Sequence, residues 1–340
     1  MCLQPREAWQ DFPERPLVSA ILLDVEALRV SLPARGGAIT VVDGVDYDVA
    51  EGEVFGVAGE SGSGKTMSVL ALLGLLPPGA TTSGRARFGD LDLLTLGKRE
   101  QRDVRGGRIG MIFQDPMTSL HPMLSIGQQL KEPIKLHLGT GRKETSRRAA
   151  ELLEAVRLPD PEKALRAFPH QFSGGMRQRV AIAIALAGEP ELLIADEPTT
   201  ALDVTVQAGI IRLLDALRRE RGLSVVLITH DLGVMSAIAD RVAVFYAGRI
   251  VETGPRNDLL QQPRHPYTKA LLDALPDPGK PSDHTLVPIA GAPPTPSELP
   301  PGCAFHLRCS HRIAACEAAV PALVHEGARA SACPVDPFRA

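Results

Sequence analysis

The sequence predicts an α/β fold, a mainly parallel sheet covered by helices on both faces, followed by a small cysteine-rich module. Three observations predict it. Short, continuously apolar runs read as strands buried on both faces: Val54-Phe55-Gly56-Val57-Ala58, Leu192-Leu193-Ile194-Ala195 and Val225-Val226-Leu227-Ile228. Helical periodicity fills the intervals between them. The first run leads into an unbroken G-x-x-x-x-G-K-[ST] loop, Gly59-Glu60-Ser61-Gly62-Ser63-Gly64-Lys65-Thr66, and then an apolar stretch, Lys65 to Leu76, read as a helix.

Residues 1–18 read as a loose tail, with acids and prolines and no apolar core of a signal peptide. From Ile21 to Val57, strand-like runs alternate with turn signals: ILLDVEALRVSL, AITVVDGVDYDV, then Glu51-Gly52-Glu53 ahead of the loop's strand. In the loop, glycines let backbone N–H groups close around a phosphate without Cβ clash. Lys65 supplies a point charge, the Thr66 hydroxyl suits Mg²⁺, and the following helix points its N-terminal dipole at the anion. A dinucleotide-type G-x-G-x-x-G is excluded, because Met67 stands at the third glycine position.

Arg108 to Phe113 reads as another buried strand, and Pro116 to about Leu186 as mostly helical, with ETSRRAAELLEAVRL its clearest amphipathic stretch. Within it, Ser173, Gly174 and Gly175 precede a helix and offer a hydroxyl and free N–H groups, a second anion-binding end. One nucleotide does not need two such ends. Two chains packed head to tail would, each lending this end to the other. The strand ending in Asp196-Glu197 supplies what Mg·ATP hydrolysis needs: Asp196 to hold Mg²⁺ directly or through water, Glu197 to polarise an attacking water. VTVQAGIIRLLDALRRERG then reads as a helix with a glycine stop. Prolines crowd Pro276 to Pro301, and four of the five cysteines follow, marking a linker and a separate module.

Composition narrows the class. Hydrophobic content of 44% and charge of 23% are globular values. A net charge of −3 gives no basic field for nucleic acid. No apolar run reaches the ~18 residues of a membrane helix, so a soluble, cytosolic chain is expected, with membrane association through partners.

Five motifs in fixed order make the chain resemble the ATPase subunit of an ATP-binding cassette (ABC) transporter. They are the Walker A-type loop; Gln114 in Phe113-Gln114-Asp115-Pro116; FSGGMRQR; the Thr200-Ala201-Leu202-Asp203 run after Asp196-Glu197; and Thr229-His230-Asp231. The resemblance implies a P-loop NTPase (RecA-like) core with an antiparallel β subdomain. It also implies a helical subdomain over about 116–188, in a nucleotide-binding domain over 19–255 followed by a module over 256–340. It implies that Gly59 to Thr66 bind ATP and Mg²⁺, and that Gln114 contacts Mg²⁺ or the attacking water. Ser173, Gly174 and Gly175 would clamp ATP held by the opposite subunit. Asp196 would support Mg²⁺, Glu197 would be the general base, Asp203 would bridge subunits and His230 would contact the γ-phosphate. Two positions depart from the pattern. Leu32 stands where an aromatic usually stacks on adenine, and His121 where relatives commonly have Asn.

GESGSGKT, MIFQDPMTSL, LLIADEPTTALDVTVQA, the His265-Pro266-Tyr267-Thr268 run and PPGCAFHLRC are similar to the D-type ATPase subunit of oligopeptide/dipeptide importers. That implies a second, related ATPase, two membrane permeases and an extracytoplasmic peptide-binding protein, at the cytoplasmic face of the inner membrane. Importers of nickel or a sugar share the scaffold. A soluble cassette protein of DNA repair or translation would need a coiled-coil insertion or a second cassette, and neither pattern occurs.

Cys303, Cys309, Cys316 and Cys333 run C-x5-C-x6-C-x16-C, with Cys2 apart. A disulfide framework does not suit a reducing cytosol. Four thiolates in a loop-rich module suit a tetrahedral metal or an iron–sulfur cluster. The resemblance implies a [4Fe–4S] cluster. Zinc stays open, with His306 and His311 as rival ligands, as do four unligated small hydrophobes.

Overall fold

A computed structural model describes residues 20–115, 119–200, 202–274 and 288–338. The expected tail over 1–18, Cys2, Pro116, Ala201 and residues 275–287 of the proline-rich linker lie outside the described residues.

The chain opens on two long strands, β1 (Ile21–Ala34) and β2 (Gly37–Ala50), joined through Arg35-Gly36. β3 (Val54–Ala58) is buried at all five positions, as its uninterrupted apolar run requires. α1 (Lys65–Leu72) starts from Gly64 and stops short of the expected Leu76. Gly74 there turns left-handed (φ 58°), and Pro77-Pro78 follow. β4 (Thr81–Phe88), β5 (Leu91–Asp92), α2 (Lys98–Val104) and β6 (Ile109–Ile112) complete this part.

The helical stretch holds α3 (Ile126–Leu138), α4 (Arg142–Ala155), α5 (Pro161–Ala164) and α6 (Gly174–Ala185). Ser125 and Gln128 form a reciprocal capping box at the start of α3, and left-handed Gly139 ends it. β7 (Leu192–Asp196), α7 (Val204–Arg221) and β8 (Ser224–Thr229) follow, with Gly222 closing α7 as expected. The remainder comprises α8 (Leu232–Ile238), β9 (Arg241–Tyr246), β10 (Arg249–Pro255), α9 (Arg256–Gln261) and α10 (Pro266–Asp273). The cysteine-rich end adds α11 (Ala314–Ala318), β11 (Val324–Glu326) and β12 (Arg329–Ser331).

These elements form two compact units. One holds the described residues through Val49, Val54–Leu94 and the chain from Thr229; the other holds Ala50–Glu53 and Thr95–Ile228. The first contains a sheet in the order β2-β1-β4-β5, and the succession β11-β12-β10-β9-β3. β4 runs antiparallel to both β1 and β5. β3 and β9 are parallel, whereas β9, β10, β12 and β11 pair antiparallel. The second unit has the parallel succession β8-β7-β6. The expected mainly parallel sheet is therefore mixed. Ala247 and Gly248, both at positive φ, make a two-residue turn from β9 to β10, and a link that short permits only antiparallel return. Among the described residues, no helix is long and apolar enough to cross a membrane.

Candidate nucleotide-binding and hydrolysis site

In the first unit, β3 delivers the chain into the glycine loop and α1 carries it away. Two glycines are sterically required. A Cβ on Gly59 (φ 145°) would stand 2.3 Å from the Phe245 carbonyl oxygen, and one on Gly64 (φ 101°) 2.6 Å from that of Val41. Ser61 and Gly62 face outward, and Ser63 is buried, its carbonyl accepting the Gly248 N–H at 2.9 Å. The loop curls around Lys65, whose Nζ donates to the Gly59 and Glu60 carbonyls at 2.8 Å each and lies 3.3 Å from Ser63 Oγ. Thr66 is half-buried in the first turn of α1. An ammonium beside the N–H groups of a helix start is an anion-binding end. His230 lies exposed just after β8, and Leu32 lies half-buried near the end of β1.

Glu60 is held from outside the loop. Its N–H donates to Tyr267 Oη at 2.8 Å. Its carboxylate takes a forked ion pair from Arg308, with Nη1 to Oε2 at 2.7 Å and Nη2 to Oε1 at 3.0 Å. Arg308 also donates to the Ala290 carbonyl at 2.8 Å and to Tyr246 Oη at 3.2 Å. Burial raises the Tyr267 phenol well above its usual pKa, so its Oη stays protonated while accepting from Glu60. Sequence reasoning quoted Tyr267 and Arg308 only inside longer runs and gave neither a role. No periodicity or spacing marks a contact 248 positions away.

In the second unit, β7 ends on Asp196, 2% exposed, and Glu197, 8% exposed, follows it directly. Glu197 adopts a left-handed backbone (φ 46°), uncommon for a residue with a Cβ, while its N–H donates to the Ile228 carbonyl at 2.9 Å. Its Oε2 accepts from Gln114 Nε2 and from Thr200 Oγ1, both at 2.9 Å. Gln114 and Glu197, 83 positions apart, are thus brought together, and Thr200 is an orienting donor that sequence reasoning missed.

Ser173 caps α6 by accepting the Met176 N–H at 3.4 Å, and Asp203 caps α7 by accepting the Val206 N–H at 3.0 Å. A Cβ on Gly174 would meet Leu202 Cδ2 at 3.4 Å, and one on Gly175 would meet Val206 Cγ1 at 2.6 Å. The glycine pair thereby lets the start of α6 close against the turn carrying Asp203. His121, in the same unit, accepts the Met123 N–H through Nδ1 at 3.3 Å, a local turn bond an Asn could also make.

The four distal cysteines, all reduced, line one small cavity with His306 and His311. Cys303 N–H donates to the Cys316 carbonyl at 2.7 Å. Backbone N–H groups of Phe305, His311 and Val335 point at the sulfurs of Cys303, Cys309 and Cys333. Burial, the largest influence, raises these three thiol pKa values, the neighbouring thiols add to it, and the N–H bonds oppose it. His306 Nδ1 is 2.7 Å from the Cys303 carbonyl, and His311 packs edge-on against Phe338. Among the described residues, no three His, Cys, Asp or Glu side chains are grouped as ligands of a single metal ion.

The chain matches the ABC transporter family over residues 42–200 and the oligopeptide/dipeptide transporter C-terminal region over residues 251–316. It is 48% identical to the dipeptide transport ATP-binding protein DppD of Bacillus subtilis over 302 residues, 88% of this chain and 90% of the relative. It is 45% identical to the oligopeptide transport ATP-binding protein OppD of Salmonella typhimurium over 320 residues, 94% of this chain and 95% of the relative. Among solved structures, it resembles a dimeric ATP-binding cassette in a post-hydrolysis state with ADP and Pi. The TM-score is 0.62 at 28% identity, covering 69% of this chain and 98% of that one. It is similar to cbiO1 of Clostridium perfringens, part of the ABC transporter complex cbiONQ, with the same TM-score and identity, over 71% of this chain and 91% of that one. With a glycine loop wrapped on a lysine, and near-full-length identity to such relatives, the chain belongs to the ABC transporter ATPases, in the branch that carries the oligopeptide/dipeptide transporter C-terminal region.

Proposed function

We propose that this chain hydrolyses ATP to power import of oligopeptides or dipeptides across the cytoplasmic membrane. It would act peripherally at the cytoplasmic face, beside a second cassette, two permeases and an extracytoplasmic binding protein. The observation that carries the ATPase reading is the loop from Gly59 to Thr66, curled around Lys65 at the start of α1. The peptide cargo is supported by near-full-length identity to peptide-transport relatives and by the matched C-terminal region.

The roles proposed are those the family resemblance implies, carried residue by residue onto this chain. Gly59, Glu60, Ser61, Gly62, Ser63 and Gly64 would cradle phosphates through their backbone and Lys65 would neutralise them, while Thr66 and Asp196 would be the Mg²⁺ ligands, with Gln114 as a further ligand or water contact. Mg²⁺, when bound, neutralises charge on the β- and γ-phosphates. Glu197 is the general base, held off rotation by Gln114 and Thr200. His230 contacts the γ-phosphate. Ser173, Gly174 and Gly175 complete the ATP site of the opposite subunit, and Asp203 bridges the two. ATP closes the pair only because it binds the closed state more tightly, and hydrolysis removes that difference.

The cysteine quartet is proposed to hold a [4Fe–4S] cluster as a structural staple for its module. Four sulfurs around one cavity, Cys316 buried and the other three half-buried, with backbone N–H groups facing those three, favour soft thiolate ligation. Protein purified without oxygen should be brown and carry about four irons per chain, and Cys316→Ala should bleach it. Colourless protein with one zinc would overturn the assignment.

Reconstitution in vesicles with the cognate partners tests the function as a whole. ATP-driven uptake of a labelled peptide is expected. Uptake of nickel or a sugar in its place would replace the cargo, and absence of ATP hydrolysis would overturn the ATPase reading.

A further inference from the structure

Glu60 is restrained at three points. Lys65 takes its carbonyl, Tyr267 takes its N–H, and Arg308 takes its carboxylate. Only the first belongs to the phosphate loop itself. The other two come from the C-terminal part of the chain. Tyr267 opens α10, and Arg308 ends a 3₁₀ turn, His306–Arg308, immediately before Cys309. We propose that Arg308 is a positioning residue for the phosphate loop. Through its fork onto Glu60, with Tyr267 on the Glu60 N–H, the cysteine-bearing module holds the loop in its phosphate-accepting shape and so sets nucleotide affinity. The inference rests on the reading of that loop as the nucleotide site.

An exposed ion pair would carry no such weight, since surface pairs contribute little. This pair is different. The Arg308 side chain is 5% exposed and that of Glu60 25%. Tyr246, Tyr267 and Phe305 wall it off: their rings lie 4.5–5.3 Å apart, and the guanidinium sits 5.8 Å from the Tyr246 ring and 5.7 Å from that of Phe305. Exclusion of water strengthens the pair, and both carboxylate oxygens are engaged, which a lysine could not do.

The loop needs such an anchor. A run with three glycines in eight residues loses much conformational freedom when it is ordered around a phosphate. Contacts made before the ligand arrives remove part of that cost from binding. Because Arg308 adjoins Cys309, the fold of the cysteine module decides where the guanidinium stands. Disturbance of the module therefore reaches the nucleotide through this pair.

The test is a double-mutant cycle on the full-length chain, with MgADP affinity measured by calorimetry for wild type, Glu60→Gln, Arg308→Lys and the double variant. Each single change should raise Kd about tenfold, the loss expected for a charged hydrogen bond, and the double should be little worse than either single. Tyr267→Phe, which removes the acceptor, should raise Kd by a smaller factor. A purely structural role would lower Tm and leave Kd unmoved, which overturns the proposal, as would strictly additive effects in the cycle. If Arg308→Lys does not fold, Glu60→Gln, a change at the less buried end of the pair, decides alone. Lys65→Ala is the control for the underlying reading. If it loses MgADP while Glu60→Gln and Arg308→Lys bind like wild type, the anchor fails and the nucleotide site stands. If Lys65→Ala binds like wild type, the nucleotide site falls and the anchor with it.

Discussion

Glu197 concentrates the argument at the scale of single residues. Its left-handed backbone costs on the order of 1–3 kcal/mol, and that cost persists because β7, the Ile228 carbonyl and two side-chain donors fix the position. The result is a carboxylate whose Oε2 is aimed and held. Glu197→Gln keeps size and acceptor and removes the proposed base. ATP binding should survive while turnover falls by about 10²–10⁴-fold, the usual contribution of general-base catalysis. Single-turnover measurement in the assembled transporter checks it, and turnover near wild type would remove Glu197 from that role. The carboxylate pair was legible in the sequence because an apolar run ending in Asp-Glu is a local signal. The donor Thr200 was not assigned, since its contact depends on the turn after β7, which no periodicity describes.

Elements show where packing, rather than motif, decides. The start of α6 closes on α7 only because Gly175 has no side chain facing Val206. Gly175→Ala drives a methyl to 2.6 Å from Val206 Cγ1. Overpacking of that kind costs about 1–3 kcal/mol, more than the ~1 kcal/mol of helix propensity that alanine adds. Urea unfolding should show the loss, and Val206→Ala in the same chain should restore most of it. A destabilisation untouched by Val206→Ala would locate the strain elsewhere. On α4, the Arg147 and Arg148 side chains bonded to Glu144 depress its carboxyl to about 2. A depressed carboxyl stabilises above its unfolded value of 4.5, and the contribution is lost as pH falls towards 2. The pair is exposed, so the effect is small and screened by salt. Glu144→Gln should therefore be less stable than wild type at pH 6, with the gap narrowing as pH falls below 4.5 towards 2, or in about 1 M salt. A gap independent of pH would assign the difference to another cause. The long helices and buried strands were legible from their apolar periods. β4 was not, because TTSGRARF buries only Ala86 and Phe88. The early stop of α1 was missed because the apolar period runs on through Leu76, while Gly74 in left-handed geometry ends the helix.

At the scale of the whole molecule, the proposed reading gives the chain two anion-binding helix starts, of which its own nucleotide needs one. α1 begins with the glycine loop, and α6 begins with Ser173 and two glycines, the Ser173 hydroxyl accepting the Met176 N–H as its cap. On the proposed reading, the α6 end serves the nucleotide of a second cassette, so dimerisation is a condition of activity and not a consequence of it. The two ends can be separated by mutation. Ser173→Arg removes a cap worth about 1 kcal/mol and puts a long cation where the partner's phosphate would approach. As an isolated chain, this variant should bind MgADP like wild type, because the glycine loop is untouched. Mixed with the second cassette under ATP, with Glu197→Gln in this chain and hydrolysis likewise blocked in the other, it should fail to form the closed dimer that the unaltered pair forms. Light scattering after size exclusion reads the difference directly. If the dimer forms equally well, the α6 end is an ordinary capped helix start, and the chain's one nucleotide is held without help. If binding to the isolated chain is lost as well, the two ends serve a single nucleotide within one subunit, and the head-to-tail arrangement is wrong.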